Sequence, residues 1–148
     1  MQTFEDIIEF AIKREEEAVK AYGDMADIAK TPGLKKLLLD LQEEEKNHKK
    51  LLQEVTKEKI ESLEIEDVTD LKISDYLIEE SPSADVNFQD VLILAAKKEQ
   101  KAVELYSNLE RKVKKKELKK LFEFLIQQEK SHKLRLEEEY EKHILEVN

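Results

Sequence analysis

Two short segments, Glu45-x-x-His48 and Glu129-x-x-His132, offer the same pair of metal-competent side chains. On a helix, residues three apart project from one face, so each segment presents a carboxylate beside an imidazole. The first pair sits in an apolar seam. Leu34, Leu38, Leu41, Glu45, His48, Leu52 and Val55 recur at alternating steps of three and four, the pattern of a helix face packed against neighbours. A carboxylate and an imidazole in such a seam are costly to bury without partners. The source of compensation lies in a repeat.

A shift of 84 residues carries Glu45 onto Glu129 and His48 onto His132. The same shift carries Ala11, Lys13, Glu15, Ala18, Val19 and Tyr22 onto Ala95, Lys97, Glu99, Ala102, Val103 and Tyr106. It also carries Leu34, Lys35, Lys36, Leu37 and Leu41 onto Leu118, Lys119, Lys120, Leu121 and Leu125, with no gap. Separated motifs at one fixed offset mark an internal duplication of a helical hairpin, each copy roughly 60 residues long.

The hairpin supplies a second carboxylate to each pair. Glu15 precedes Glu45 by 30 residues, with Thr31-Pro32-Gly33 breaking the helix near the midpoint. A chain that runs out about 15 residues and returns about 15 brings the two glutamates to one height. Glu99 and Glu129 are spaced the same way. Face to face, the two hairpins would gather four Glu and two His at one depth. Four carboxylates held close cannot all ionise unless positive charge lies between them, and two divalent cations balance that charge. One Glu from each of two helices plus Glu-x-x-His from each of the other two is the di-iron carboxylate arrangement of ferritin-like bundles. Glu45 and Glu129 are expected to bridge the metals, Glu15 and Glu99 to be terminal, and His48 and His132 to bind one metal each. An oxygen and nitrogen donor set without sulfur suits Fe or Mn better than Cu, with Zn also compatible.

The elements that must position these residues are long helices. Charged residues make up 41% of the 148, against about 25% in an average domain, and there are only 2 Gly and 2 Pro. The expected architecture is all-α, a ferritin-like four-helix bundle in one domain spanning 1–148. It comprises hairpin 1 over about 3–58, a crossover over about 59–85 and hairpin 2 over about 86–146. Thr3 reads as the first N-cap with Asp6 in a capping-box position, and Thr31 before Pro32 as the second. Ile8, Ala11, Ile12, Glu15, Ala18, Val19, Tyr22 and Ala26 form the first inward stripe, so Glu16 and Glu17 turn to water.

In the crossover the helical pattern fails and Ser81-Pro82-Ser83 is a breaker. A short helical turn around 73–78, with Leu71, Tyr76 and Leu77 apolar, is expected to pack it onto the bundle. A connection of this length lets helices two and three run parallel. Leu92, Ala96, Glu99, Ala102, Val103, Tyr106 and Val113 form the third stripe. Leu118, Leu121, Leu125, Glu129, His132, Leu136, Tyr140 and His143 form the fourth, with His143 read as a bundle-end residue and not a ligand. The turn near 114–116 has no Gly or Pro and is placed by the repeat alone; its three lysines read as a solvated helix end.

Composition excludes several functions. The net charge of −9 disfavours nucleic acid, whose phosphates would be repelled, and interspersed Glu and Lys read as a solvated surface. Zero Cys excludes disulfides, thiolate metal sites and cysteine catalysis. No apolar run approaches about 18 residues, so no membrane partner is expected, and a cytoplasmic location is. Leu39, Leu94 and Phe124 fall off the inner stripes and are candidates for a homodimer surface.

Glu15-x-x-Ala18-x-x-x-Tyr22 with Glu45-x-x-His48, repeated at Glu99, Ala102, Tyr106, Glu129 and His132, resembles the rubrerythrin branch of the ferritin-like superfamily over nearly the whole chain. The resemblance implies a non-haem centre of two Fe ions that reduces hydrogen peroxide, or reacts with dioxygen, using electrons from a redox partner. Full-length rubrerythrins carry a four-cysteine rubredoxin domain; with no Cys here, electrons are expected from an external protein such as a rubredoxin. Rubrerythrins also place an additional Glu three residues after the third-helix ligand, where this chain has Ala102, which makes the six-ligand set closer to that of bacterioferritin. Tyr22 and Tyr106 are expected to hydrogen-bond the carboxylate ligands and fix their orientation; they fit equally as core aromatics. Two rival functions stand beside the oxidoreductase. Iron storage would need a hollow multi-subunit shell, and a metal-free interaction bundle would need the six residues exposed or neutral.

Overall fold

The first helix begins where its cap is written. Thr3 accepts a hydrogen bond from the Asp6 backbone N–H at 3.0 Å, and the Asp6 carboxylate accepts one from the Thr3 N–H at 3.1 Å, a closed capping box. In the computed structural model, which describes residues 3–57, 72–78 and 87–147, this opens α1 over Phe4–Ile28. Helix α2 covers Pro32–Lys57, with Leu34 N–H bonded to the Thr31 hydroxyl at 3.2 Å and proline in the first turn, where its missing N–H costs nothing. A 3₁₀ turn spans Ile73–Tyr76, α3 spans Phe88–Lys112 and α4 spans Lys116–Val147. Asn87 caps α3 through one bond, its side-chain oxygen accepting from the Asp90 N–H at 3.0 Å.

The chain divides into two compact units, Met1–Asp70 and Leu71–Asn148. In the first, α1 and α2 form a hairpin; in the second, α3 and α4 form another, and the 3₁₀ turn packs on α3. Most of the expected crossover, with Leu71 and the Ser81-Pro82-Ser83 breaker, lies outside the described residues, as does the side chain of His143. Within the described part, Tyr76 holds the turn in place. It is buried, and its hydroxyl accepts a 2.6 Å hydrogen bond from the Asn108 side-chain amide of α3. Leu77, expected to help with that packing, is 47% exposed. The backbone extends after Tyr76, so the next residue leaves the side of the turn that faces α3.

All seven residues of the α2 seam are buried, at 5% exposure or less. The α1 stripe is broader than its sequence pattern, since Phe4, Ile7 and Met25 are also buried, while Ile12, Ala18 and Val19 are only half-buried. In α4 the seam runs Leu118, Phe122, Leu125, Glu129, His132 and Leu136. Phe122 thus takes the innermost place expected for Leu121, which is half-buried. A step of four and then three keeps one helix face, and only residue 122 satisfies it between 118 and 125.

The α3–α4 turn closes without glycine. Val113 is extended and buried, its N–H bonds the Leu109 carbonyl, and the Lys119 ammonium donates to the Glu110 carbonyl at 3.1 Å. An orphan carbonyl of the α3 end is thereby satisfied by a side chain from α4. Among the described residues no helix is long and apolar enough to cross a membrane.

Candidate metal centre

Each hairpin buries one triad. In the first unit, Glu15 of α1 and Glu45 and His48 of α2 are all at 0% exposure, and one ligand atom from each lies within 4.8 Å of the others. In the second, Glu99 of α3 is 1% exposed and Glu129 and His132 of α4 are at 0%, again with ligand atoms within 4.8 Å. The out-and-back path of each hairpin therefore brings its two glutamates to one level. Glu16 and Glu17, one and two residues on, are exposed, as the helical phase requires.

Both imidazoles turn the same ring nitrogen to their carboxylates. His48 Nδ1 lies 2.8 Å from Glu45 Oε1 and 3.7 Å from Glu15 Oε2. His132 Nδ1 lies 3.5 Å from Glu99 Oε2 and 3.8 Å from Glu129 Oε1. Two carboxylates and a ring nitrogen converging inside a hairpin form a three-donor face for a divalent cation. The absence of sulfur makes it one for Fe, Mn or Zn. Buried carboxylates need compensating charge, and a cation at this face would supply it. On donor chemistry and burial, the residues present fit a metal.

Over residues 6–140 the chain matches the protein-family model described as Rubrerythrin. The chain belongs to the rubrerythrin family. Among solved structures, a hypothetical protein from Pyrococcus furiosus is similar to this rubrerythrin-family chain. It is 30% identical, covers 94% of this chain and 89% of its own, and superposes with a TM-score of 0.73. A search of the curated proteins finds no match. The fold class is the all-helical four-helix bundle of two paired hairpins, consistent with the ferritin-like fold.

The remaining expected residues of this family member are inside the protein. Tyr22 and Tyr106, each seven positions after the first glutamate of its hairpin, are 2% and 0% exposed. Tyr106 stacks on Phe122 with ring centroids 6.3 Å apart and planes 21° from parallel. Ala102 is 2% exposed, so its methyl group occupies buried space where an additional carboxylate would otherwise stand.

One residue of the site escaped the sequence pattern. Arg14 places Nη1 at 3.0 Å from both Glu15 Oε1 and Glu45 Oε2, with its side chain only 13% exposed. It stands three after Ala11 and four before Ala18, on the flank of the inward stripe. A cation at helical spacing beside two expected ligands was the signal available for it.

Proposed function

We propose that this rubrerythrin-family protein is a non-haem di-iron oxidoreductase that reduces hydrogen peroxide, or reacts with dioxygen, with electrons from an external donor such as a rubredoxin. The observation that supports it is the duplicated buried triad, with the same residue types, the same ring nitrogen and the same 84-residue offset in each hairpin. In this reading Glu15, Glu45, His48, Glu99, Glu129 and His132 would hold two metals, with Glu45 and Glu129 in the bridging role. Fe(II) held there would supply the two electrons that, with two protons, convert peroxide to two waters.

The protein's own contribution is positional. Burial of all six side chains excludes bulk water, so each carboxylate would act on a bound cation with less screening than in water. The hairpins fix ligand height because both arms are stiff helices. Tyr22 and Tyr106 are assigned to hold carboxylate orientation through their hydroxyls, and His48 and His132 to bind through Nδ1. Ala102, in place of a further carboxylate, limits the site to six side-chain ligands.

The test is anaerobic loading with Fe(II) followed by titration with hydrogen peroxide. The expected end-point is about one peroxide consumed per two irons, with oxidation far faster than that of Fe(II) in buffer. Oxidation no faster than in buffer overturns the assignment.

A further inference from the structure

We propose that the second hairpin carries a binding groove for a small amphiphilic monoanion, a free carboxylate with an alkyl tail, at a place that is filled in the first hairpin. The groove is formed by α3 and α4 alone. It encloses about 370 Å³, within the range of about 300–1,000 Å³ usual for small-molecule sites. Leu92 and Leu136, both at 0% exposure, close its floor, and Ile93 and Ala96 form its apolar wall.

The internal repeat shows why the groove exists on one hairpin. Under the 84-residue shift Ala96 corresponds to Ile12 and Gln100 to Glu16. Ala96 lacks the branched tail of Ile12, which leaves space between the helices. In the first hairpin Lys49 Nζ lies 3.3 Å from Glu16 Oε1, an ion pair between α1 and α2. Its counterpart Lys133 meets the neutral Gln100 instead and donates to Oε1 at 3.1 Å. The Gln100 amide nitrogen donates to Glu104 at 3.3 Å, which fixes its carbonyl towards Lys133. Among the described residues neither Lys133 nor Lys97 forms an ion pair. The second hairpin thus lacks both the filling group and the acid.

What remains has a polarity along its length. Lys133 and Gln100 stand at one end, and Leu92 and the half-buried Tyr140 at the other. From residue 92 to residue 100 a helix rises about 12 Å. Midway, the exposed Lys97 and Glu137 offset each other, so Lys133 carries the local excess of charge. An ammonium has three N–H donors and Gln100 takes one. A carboxylate head beside Lys133, with its tail along Ile93 and Ala96 towards Tyr140, satisfies both ends. The net charge of −9 opposes an anion only at short range, since salt screens it beyond about 8 Å.

The experiment titrates octanoate into the isotope-labelled protein, before and after metal removal, and follows amide chemical shifts and heat. Saturable binding of one octanoate per chain is expected, with shifts centred on Ala96, Gln100 and Lys133. Ala96→Ile and Gln100→Glu install the residues that the first hairpin uses at the same positions, so both suit a hairpin of this type. Each is expected to weaken octanoate binding by at least about tenfold at unchanged helix content, the first by filling the groove and the second by pairing Lys133. Lys133→Gln, which removes the charge, does the same, and octylammonium binds the wild type at least about tenfold more weakly than octanoate. Binding that never saturates, full affinity in Ala96→Ile or Lys133→Gln, or equal binding of octylammonium overturns the proposal. So does binding that disappears with the metal, which would make octanoate a metal ligand. A dimer broken by Ale96→Ile, with no octanoate bound, would show a second copy covering the groove and overturns it too. None of these outcomes bears on the di-metal reading.

Discussion

The N-terminal hairpin carries its triad with a guanidinium laid across two carboxylates; the C-terminal hairpin carries the same triad with a lysine at the corresponding place. Other fastenings differ as well. In the first unit Gln42 reaches across from α2 and donates to the Val19 carbonyl of α1 at 3.0 Å; its counterpart by the repeat, Ile126, has no such group. In the second, a stacked Tyr106–Phe122 pair joins α3 to α4, where the first hairpin has Tyr22 and Leu38. The second unit also gains a strap, since Tyr76 holds the 3₁₀ turn to Asn108. Two carboxylates, an imidazole and a tyrosine repeat without change between hairpins, and the groups that glue the helices do not. Cation chemistry constrains which atoms must meet, while several different contacts can hold two helices side by side.

The largest expected effect breaks the triads themselves. Glu45→Ala or Glu129→Ala should each lower metal content measured after Fe(II) loading from two ions per chain to about one or fewer, because each removes a carboxylate assigned to both metals. An effect in one hairpin alone would show that only that triad is a ligand set.

Arg14 sharpens the comparison at the level of stability. In the metal-free protein, Arg14→Leu removes a charged hydrogen-bond donor from two buried carboxylates and should cost about 2–3 kcal/mol. That lowers the melting temperature by roughly 4–12 °C for a chain of this size. Lys98→Leu should stay within about 0.5 kcal/mol. Similar losses for both would erase the distinction between the hairpins.

Two smaller tests concern fastening. Tyr76→Phe removes the acceptor for Asn108 and should cost about 1 kcal/mol by denaturant unfolding, with Asn108→Ala non-additive to it. Gly23→Ala is the smallest. A methyl group at Gly23 would stand 2.5 Å from Gln42 Nε2, so Gln42 must swing away and lose its bond to Val19. That loss of about 1 kcal/mol is offset by a helix-propensity gain of about 1 kcal/mol, so a net change near zero is expected.

How far the fold was legible follows from the same contrasts. The α2 seam could be read residue by residue because one apolar or ligand residue stands at every step of three and four. In α4 two large apolar residues stand side by side at 121 and 122, so residue type could not choose between them and only helical phase does. The α3–α4 turn was visible through the repeat alone, since its closure uses an extended valine and a lysine from the next helix, neither of which is a turn residue. The six candidate ligands, all buried, could be picked out because duplication ties them together. Arg14 was not, because a long side chain on the flank of a stripe can snorkel to water or turn inward, and sequence does not say which.

The central claim is that two buried triads together hold two cations. Equilibrium dialysis of the metal-free protein against Fe(II) under anaerobic conditions, with bound iron counted per chain, tests it most directly. Two irons per wild-type chain, falling to none when Glu45 and Glu129 are both replaced by alanine, is the predicted result. Fewer than two irons in the wild type, or two irons retained by the double variant, contradicts it.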